Sequence, residues 1–196
     1  NQLAAWCKSF PTQKKVLFTP TMQIGYNLTT ALAETGHSWA NLHTNTPYDY
    51  ALQFANTHFK ARGFRQLTDQ TAALHMDILL RETFKKEEDH YFSELPITSD
   101  LVHTFYQALQ DARLANLDPE SLTAKDLNPD KTRLLQNLYC AYNTYLSNHK
   151  LFDMADVFKV ATDLVTPQST TFYAICDETQ LSEWAYRFVQ KITGQN

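Results

Sequence analysis

Val16-Leu17-Phe18-Thr19-Pro20-Thr21-Met22-Gln23-Ile24-Gly25-Tyr26-Asn27-Leu28 is the stretch whose reading decides the fold. Its first part, together with Lys15, is a short apolar run closed by Pro20, the pattern of a buried strand. Thr21 is placed to cap a helix, because its hydroxyl can accept an N–H of the first turn. Ile24, Leu28, Ala31 and Leu32 then recur at helical spacing, and the helix stops before Gly36. Ser38 to His43 reads as a second strand. Pro47 opens a further helix that runs to about Ala61, with Gly63 as its stop. The order β-α-β-α over the first 65 residues predicts a parallel sheet with right-handed crossovers.

Beyond Leu67 the periodicity becomes helical throughout. Helices are expected over Thr68–Phe84, Ser99–Leu117, from Asn128-Pro129 to His149, and over Asp153–Val165. Ser121–Leu127 reads as a connector helix, and Lys85–Asp89 as a solvated charge run. On the long helix, Leu134, Leu135, Leu138, Tyr139, Tyr142 and Leu146 should face inward. Tyr139, Tyr142 and Tyr145 recur every three residues, a spacing that serves either a core stripe or a platform for nucleic-acid bases. Strand character returns at Thr171-Phe172-Tyr173-Ala174-Ile175-Cys176, ends at Asp177-Glu178, and is followed by an amphipathic helix carrying Leu181, Trp184, Ala185, Phe188, Val189 and Ile192. The expected organisation is an α/β domain over 1–66, an inserted helical subdomain over 67–166, and a returning strand and helix over 167–196.

Composition narrows the classes. Hydrophobic residues make up 43% of the chain, and only four Gly and seven Pro interrupt it, so a packed core is expected rather than a disordered chain. A net charge of −4 argues against a dedicated, highly basic nucleic-acid binder. It leaves room for local patches, of which Lys60, Arg62 and Arg65 around Gly63 form one, and Lys8, Lys14 and Lys15 another. No apolar run approaches the ~18 residues of a membrane span. No charged segment leads an apolar stretch at Asn1-Gln2, so no secretory leader is expected, and the missing initiator Met suggests a piece of a longer protein. Cys7, Cys140 and Cys176 are far apart, form no CxxC pair and read as free thiols of a cytoplasmic protein. The seven His form neither HExxH nor a zinc-spaced cluster, so no metal site is expected. No G-x-S-x-G element is present either.

Three segments carry a family resemblance. They are the stretch quoted above, Leu151-Phe152-Asp153-Met154-Ala155-Asp156-Val157, and Phe172-Tyr173-Ala174-Ile175-Cys176-Asp177-Glu178. In this order the chain resembles the first RecA-like domain of UvrD-type superfamily 1 helicases with its helical insertion. More closely, it is similar to the inactivated helicase-like region of AddB- and RecC-type PD-(D/E)XK nuclease proteins. The resemblance implies a partial P-loop NTPase-like parallel sheet with a large all-helical insertion. It places Pro20, Gly25, Tyr26 and Asn27 on a vestigial nucleotide loop, and Asp177 and Glu178 on a vestigial Walker B pair.

A working loop needs G-x-x-x-x-G-K-[ST], with glycine N–H groups around the phosphates, a Lys on their charge and a Ser/Thr on magnesium. Gly25 fits the final Gly. Pro20 replaces the first Gly and has no N–H, while Tyr26 stands for Lys and Asn27 for Ser/Thr. No catalytic residue, cofactor or ATP hydrolysis is therefore expected. Asp177 and Glu178 are expected either as relics or as caps of the last helix. The resemblance implies a non-catalytic, DNA-contacting scaffold within a bacterial double-strand-break repair nuclease, with an AddA-like helicase–nuclease partner and no membrane. A PD-(D/E)XK nuclease core has no copy here, so the exonuclease or helicase-related hydrolase chemistry of the parent would lie elsewhere. The rival expectations are a live superfamily 1 helicase ATPase and a helical protein-interaction module without a nucleic-acid role.

Overall fold

The fold comes from a computed structural model that describes residues 2–86, 96–122 and 128–194. Helix α1 (Gln2–Ser9) leads into strand β1 (Lys14–Phe18), helix α2 (Met22–Glu34), strand β2 (Leu42–Asn45) and helix α3 (Pro47–Ala61). A two-residue strand β3 (Arg65–Gln66) precedes helices α4 (Asp69–Lys86) and α5 (Ser99–Leu114), a single 3-10 turn (Pro119–Ser121) and the long helix α6 (Pro129–Asn148). Strand β4 (Leu151–Phe152), helix α7 (Met154–Leu164), strand β5 (Thr171–Ile175) and helix α8 (Glu183–Thr193) complete the order. The result is a mixed α/β chain, mostly helical, with a small parallel sheet. No helix among the described residues is long and apolar enough to cross a membrane.

The sheet runs β2-β1-β5 with all strands parallel. β1 lies in the middle, and Val16, Leu17 and Phe18 are all buried, as the continuous apolar run of a central parallel strand requires. Phe18 pairs with Asn45 on one side and Ile175 on the other. Its ring meets Tyr50 edge-on at 5.5 Å and stacks on Tyr173 at 6.1 Å. Phe188 of α8 adds tilted contacts to Tyr50 and Phe158 and an edge contact to Phe54.

Two compact units form: Asn1–Thr57 with Val157–Asn196, and His58–Asp156. Both changeovers fall inside continuous helices, α3 and α7, so no glycine- or proline-rich linker marks them. In the second unit α4 packs against α5 and α6 around Met76, Leu80, Leu109 and Leu138. Tyr139, Tyr142 and Tyr145 are buried there, which makes them core rather than a base-stacking stripe. Leu135 is only partly buried.

Local chemistry accounts for the ends of the elements. Thr21, Thr98, Asn128 and Ser182 cap α2, α5, α6 and α8 with side-chain oxygens. α3 ends in a paired-bond glycine stop. Gly63 has φ +73, its N–H donates to Lys60 O at 3.1 Å, and Phe64 N–H donates to Phe59 O at 3.0 Å. α5 uses the same device with Asn116 at φ 54, which halts it at Leu114 instead of Leu117. The second strand spans Leu42–Asn45, not Ser38–His43, because left-handed Asn41 (φ 53) turns the chain into the ladder. The sequence signals at Glu87–Asp89 and Thr123–Leu127 lie outside the described residues.

Gly25 lies inside α2 against β2. A Cβ there would stand 2.8 Å from Thr44 Cβ and 3.2 Å from Thr19 Oγ1. Gly→Ala inside a helix ordinarily stabilises by ~1 kcal/mol, whereas overpacking costs ~1–3 kcal/mol. Gly25→Ala is therefore expected to destabilise by up to about 2 kcal/mol, read as a lowered urea midpoint at unchanged slope. A raised midpoint would show that α2 does not press on β2.

Candidate functional site

The order of strands reverses at β1, since β2 joins one side and β5 the other. In open α/β sheets, ligands bind outside the carboxyl ends of the strands at such a switch point. The turns that leave β1 and β5 there hold Pro20 and the Asp177-Glu178 pair. They are tied to each other through Phe18 O, which accepts Cys176 N–H at 2.8 Å and Thr179 Oγ1–H at 3.3 Å.

The turn after β1 is satisfied from within. Buried Thr19 donates its hydroxyl to Thr21 O at 2.9 Å, and Thr19 N–H donates to Asn45 O at 3.0 Å. Thr21 Oγ1 accepts Ile24 N–H at 3.2 Å, and Thr21 O accepts Gly25 N–H at 3.3 Å. Two of the N–H groups a phosphate would seek, those of Ile24 and Gly25, are thus engaged by Thr21, and Pro20 contributes none. Tyr26 is 65% exposed. Asn27 Oδ1 accepts from Gln23 Nε2 at 2.9 Å along the exposed face of α2. Lys15, the nearest lysine in sequence, is fully buried and donates to the carbonyls of Phe10 and Gln13 ahead of β1, away from the turn. Of Pro20, Gly25, Tyr26 and Asn27, only Gly25 is buried, and helix–strand contact explains it.

Asp177 and Glu178 are exposed at the centre of a four-residue turn closed by Thr179 N–H to Cys176 O at 2.8 Å. They do not cap the last helix. Ser182 does, accepting Ala185 N–H at 3.3 Å, because it stands directly before the first helical residue. Among the described residues no group of three or more His, Cys, Asp or Glu is disposed to hold a metal ion. Cys7 is buried, Cys140 exposed and Cys176 partly buried, and all three are free.

The second resemblance segment builds a different constellation, wholly within His58–Asp156. Asp153 Oδ1 accepts Asp156 N–H at 3.1 Å and Asp156 Oδ2 accepts Asp153 N–H at 3.2 Å, a reciprocal cap on α7. Arg113 of α5 reaches both carboxylates, with Nε 2.8 Å from Asp153 Oδ2 and Nη2 2.7 Å from Asp156 Oδ1. It also donates to Asn143 Oδ1, and its guanidinium lies 5.6 Å from the centre of the Tyr142 ring. Tyr142 O–H donates to Asp153 Oδ2 at 3.3 Å. Burial would lower the Arg113 pKa, but Asp153 and Asp156 outweigh it and hold the cation firmly charged. Burial and Asp153 push the Tyr142 phenol far up. Burial and the neighbouring Asp153 push the Asp156 carboxyl up to about 6, against the pull of Arg113. Nothing in the sequence near Arg113 announces this cluster. The Asp-x-x-Asp spacing before an apolar helix was the one available signal.

Compared with known proteins, the sequence matches no family model and no curated protein.

The cluster yields two expectations. Arg113→Met strands two carboxylates in a largely buried place and should cost about 3–5 kcal/mol in urea denaturation. Asp156 binds its proton more tightly when folded than at its ordinary value of 3.8, so its contribution to stability is full below about pH 4 and is lost as pH rises towards 6. Two units correspond to at most about 3 kcal/mol. Asp156→Asn should therefore flatten the fall in stability between pH 4 and pH 6. Stability profiles of wild type and variant that run parallel would refute this.

Proposed function

We propose that this chain is a non-catalytic, helicase-like scaffold that contacts DNA as part of a double-strand-break repair nuclease of the AddB type. In this reading it has a P-loop NTPase-like (RecA-like) core whose loop has been retired. The observation that carries the reading is the turn after β1. It lies between a buried parallel strand and a helix, beside the turn after β5 that holds Asp177-Glu178. Yet Thr21 accepts Ile24 N–H and Gly25 N–H, and Pro20 and exposed Tyr26 stand where a phosphate loop has its first Gly and its Lys. A turn held by its own hydrogen bonds and lacking that Lys suits a scaffold and not a motor. The active helicase–nuclease partner would be AddA-like, the nuclease centre would lie elsewhere in the parent protein, and the setting would be cytoplasmic.

A second reading, a helical protein-interaction module, draws support from Leu74 and Ile78. They are exposed at 62% and 38%, one turn apart on α4.

A thermal shift with Mg-ATP tests the retired loop. Binding at a hundredfold excess over Kd would add ~2.7 kcal/mol, or roughly 5–10 °C for a chain of this size. No shift is expected, and a shift of that order would restore the live-ATPase alternative. Binding to DNA that weakens steeply with salt is expected of the scaffold. Absence of DNA binding at low salt would transfer support to the interaction module.

A further inference from the structure

Two helices end side by side on the second unit, and both ends carry cations. α3 finishes at Lys60 and Ala61, followed by Arg62 and left-handed Gly63. α6 finishes at Asn148, followed by His149 and left-handed Lys150. The parallel ladder β3–β4 fastens these ends together, with Arg65 paired to Leu151 and Arg65 N–H donating to Lys150 O at 2.8 Å. The Lys150 ammonium lies 3.9 Å from where a Cβ of Gly63 would stand, so the two ends share one surface. Lys60, Arg62, Arg65, His149 and Lys150 are all exposed. Among the described residues no ion pair involves the four permanent cations of this group. Each helix end carries roughly half a negative charge. The two ends together offset about one of those four positive charges, so most of the charge is left over, on a chain whose net charge is −4.

Beside the cations stands a flat ring. His149 stacks on Tyr145 with ring centres 4.0 Å apart and planes at 26°. Buried Tyr145 is fixed from below by a 2.8 Å hydrogen bond between its hydroxyl and His75 Nδ1. Burial lowers the pKa of the His75 imidazole, helped by the nearby charges of His149 and Arg65. Glu82 is the carboxylate that acts on Tyr145 from α4.

We propose that Lys60, Arg62, Arg65, Lys150 and the His149 ring form a binding surface for single-stranded DNA, with the cations on phosphates and the imidazole under an unpaired base. Clustered cations beside a supported ring suit a strand that offers both charge and π-faces. An acidic peptide would offer the charge alone. The inference rests on the scaffold reading and gives it a place of contact.

The test is fluorescence anisotropy of a labelled 15-nucleotide oligo-dT with the whole chain between 50 and 200 mM NaCl. Single-strand affinity falls by about 0.7 logarithmic units per contact for each tenfold rise in salt. The variant R62Q/R65Q/K150Q should therefore bind at least tenfold more weakly, with a salt slope shallower by about 2. H149A should lose roughly fivefold or more at unchanged slope. K8Q/K14Q, on the other basic cluster, should bind as wild type, and R62K/R65K should recover most of the affinity. Far-UV circular dichroism checks that each variant is folded. Wild-type binding that the triple variant retains would overturn this surface and leave the scaffold reading standing. Equal or tighter binding of duplex DNA or polyglutamate would overturn the single-strand assignment. No binding of either DNA form by wild type would bring down the scaffold reading itself.

Discussion

Parallel pairing of β5 to β1 is the constraint on which the chain's layout depends. Parallel neighbours cannot be joined by a tight turn, and here Phe18 must meet Ile175 across most of the sequence. Closing a free loop of that length would cost about 4 kcal/mol beyond a short one. The chain reduces this cost by folding the excursion into a body of its own. The ladder β3–β4 brings Arg65 to Leu151, so the second unit begins and ends at neighbouring points. Phe59 and Phe152 stack face to face at 3.9 Å beside this closure. What remains to be closed for β1 and β5 is then the stretch from Phe18 to Arg65 and that from Leu151 to Thr171.

The polar groups at two places in the chain follow opposite strategies. At the carboxyl end of the sheet, small hydroxyls of Thr19, Thr21 and Thr179 answer backbone groups one for one, and no charge is buried. In the second unit, one guanidinium faces two carboxylates, buried Asp153 and half-buried Asp156. A buried ion pair is weak as a source of stability, because desolvation cancels most of the attraction. Its value is positional. Only one placement of α5 lets Arg113 reach Asp153, Asp156 and Asn143 together, so the cluster fixes where α7 starts.

How much of this was legible in the sequence follows from the range of each signal. The strand at 14–18, the Thr21 cap, the Pro47 and Pro129 starts and the Gly63 stop all depend on neighbours within a turn, and each stands where periodicity and capping put it. β3 and β4 were invisible, because two residues cannot show a period of two. Asn41 misled because its left-handed backbone shifts the strand start without a glycine to mark it. Asp177-Glu178 drew the expectation of a cap through charge, but a Ser one residue ahead of the helix has the shorter reach to its N–H groups. Arg113 is forty residues from Asp153, and no local pattern links them. The basic group around Gly63 was visible only in half; Lys150 and His149 joined it through the fold.

Gly25 shows how a residue that fits a motif can be held by packing alone. It lies inside α2, where a Cβ would stand 2.8 Å from Thr44 Cβ, so β2 sets the space above it. The turn ahead of it leans on Thr21, which accepts Ile24 N–H through its hydroxyl and Gly25 N–H through its carbonyl. Tyr26 and Asn27, the next two residues, are exposed. The glycine that best fits a phosphate-loop pattern is thus the one whose presence says least about nucleotide, because a helix pressed against a strand asks for a small residue on its own.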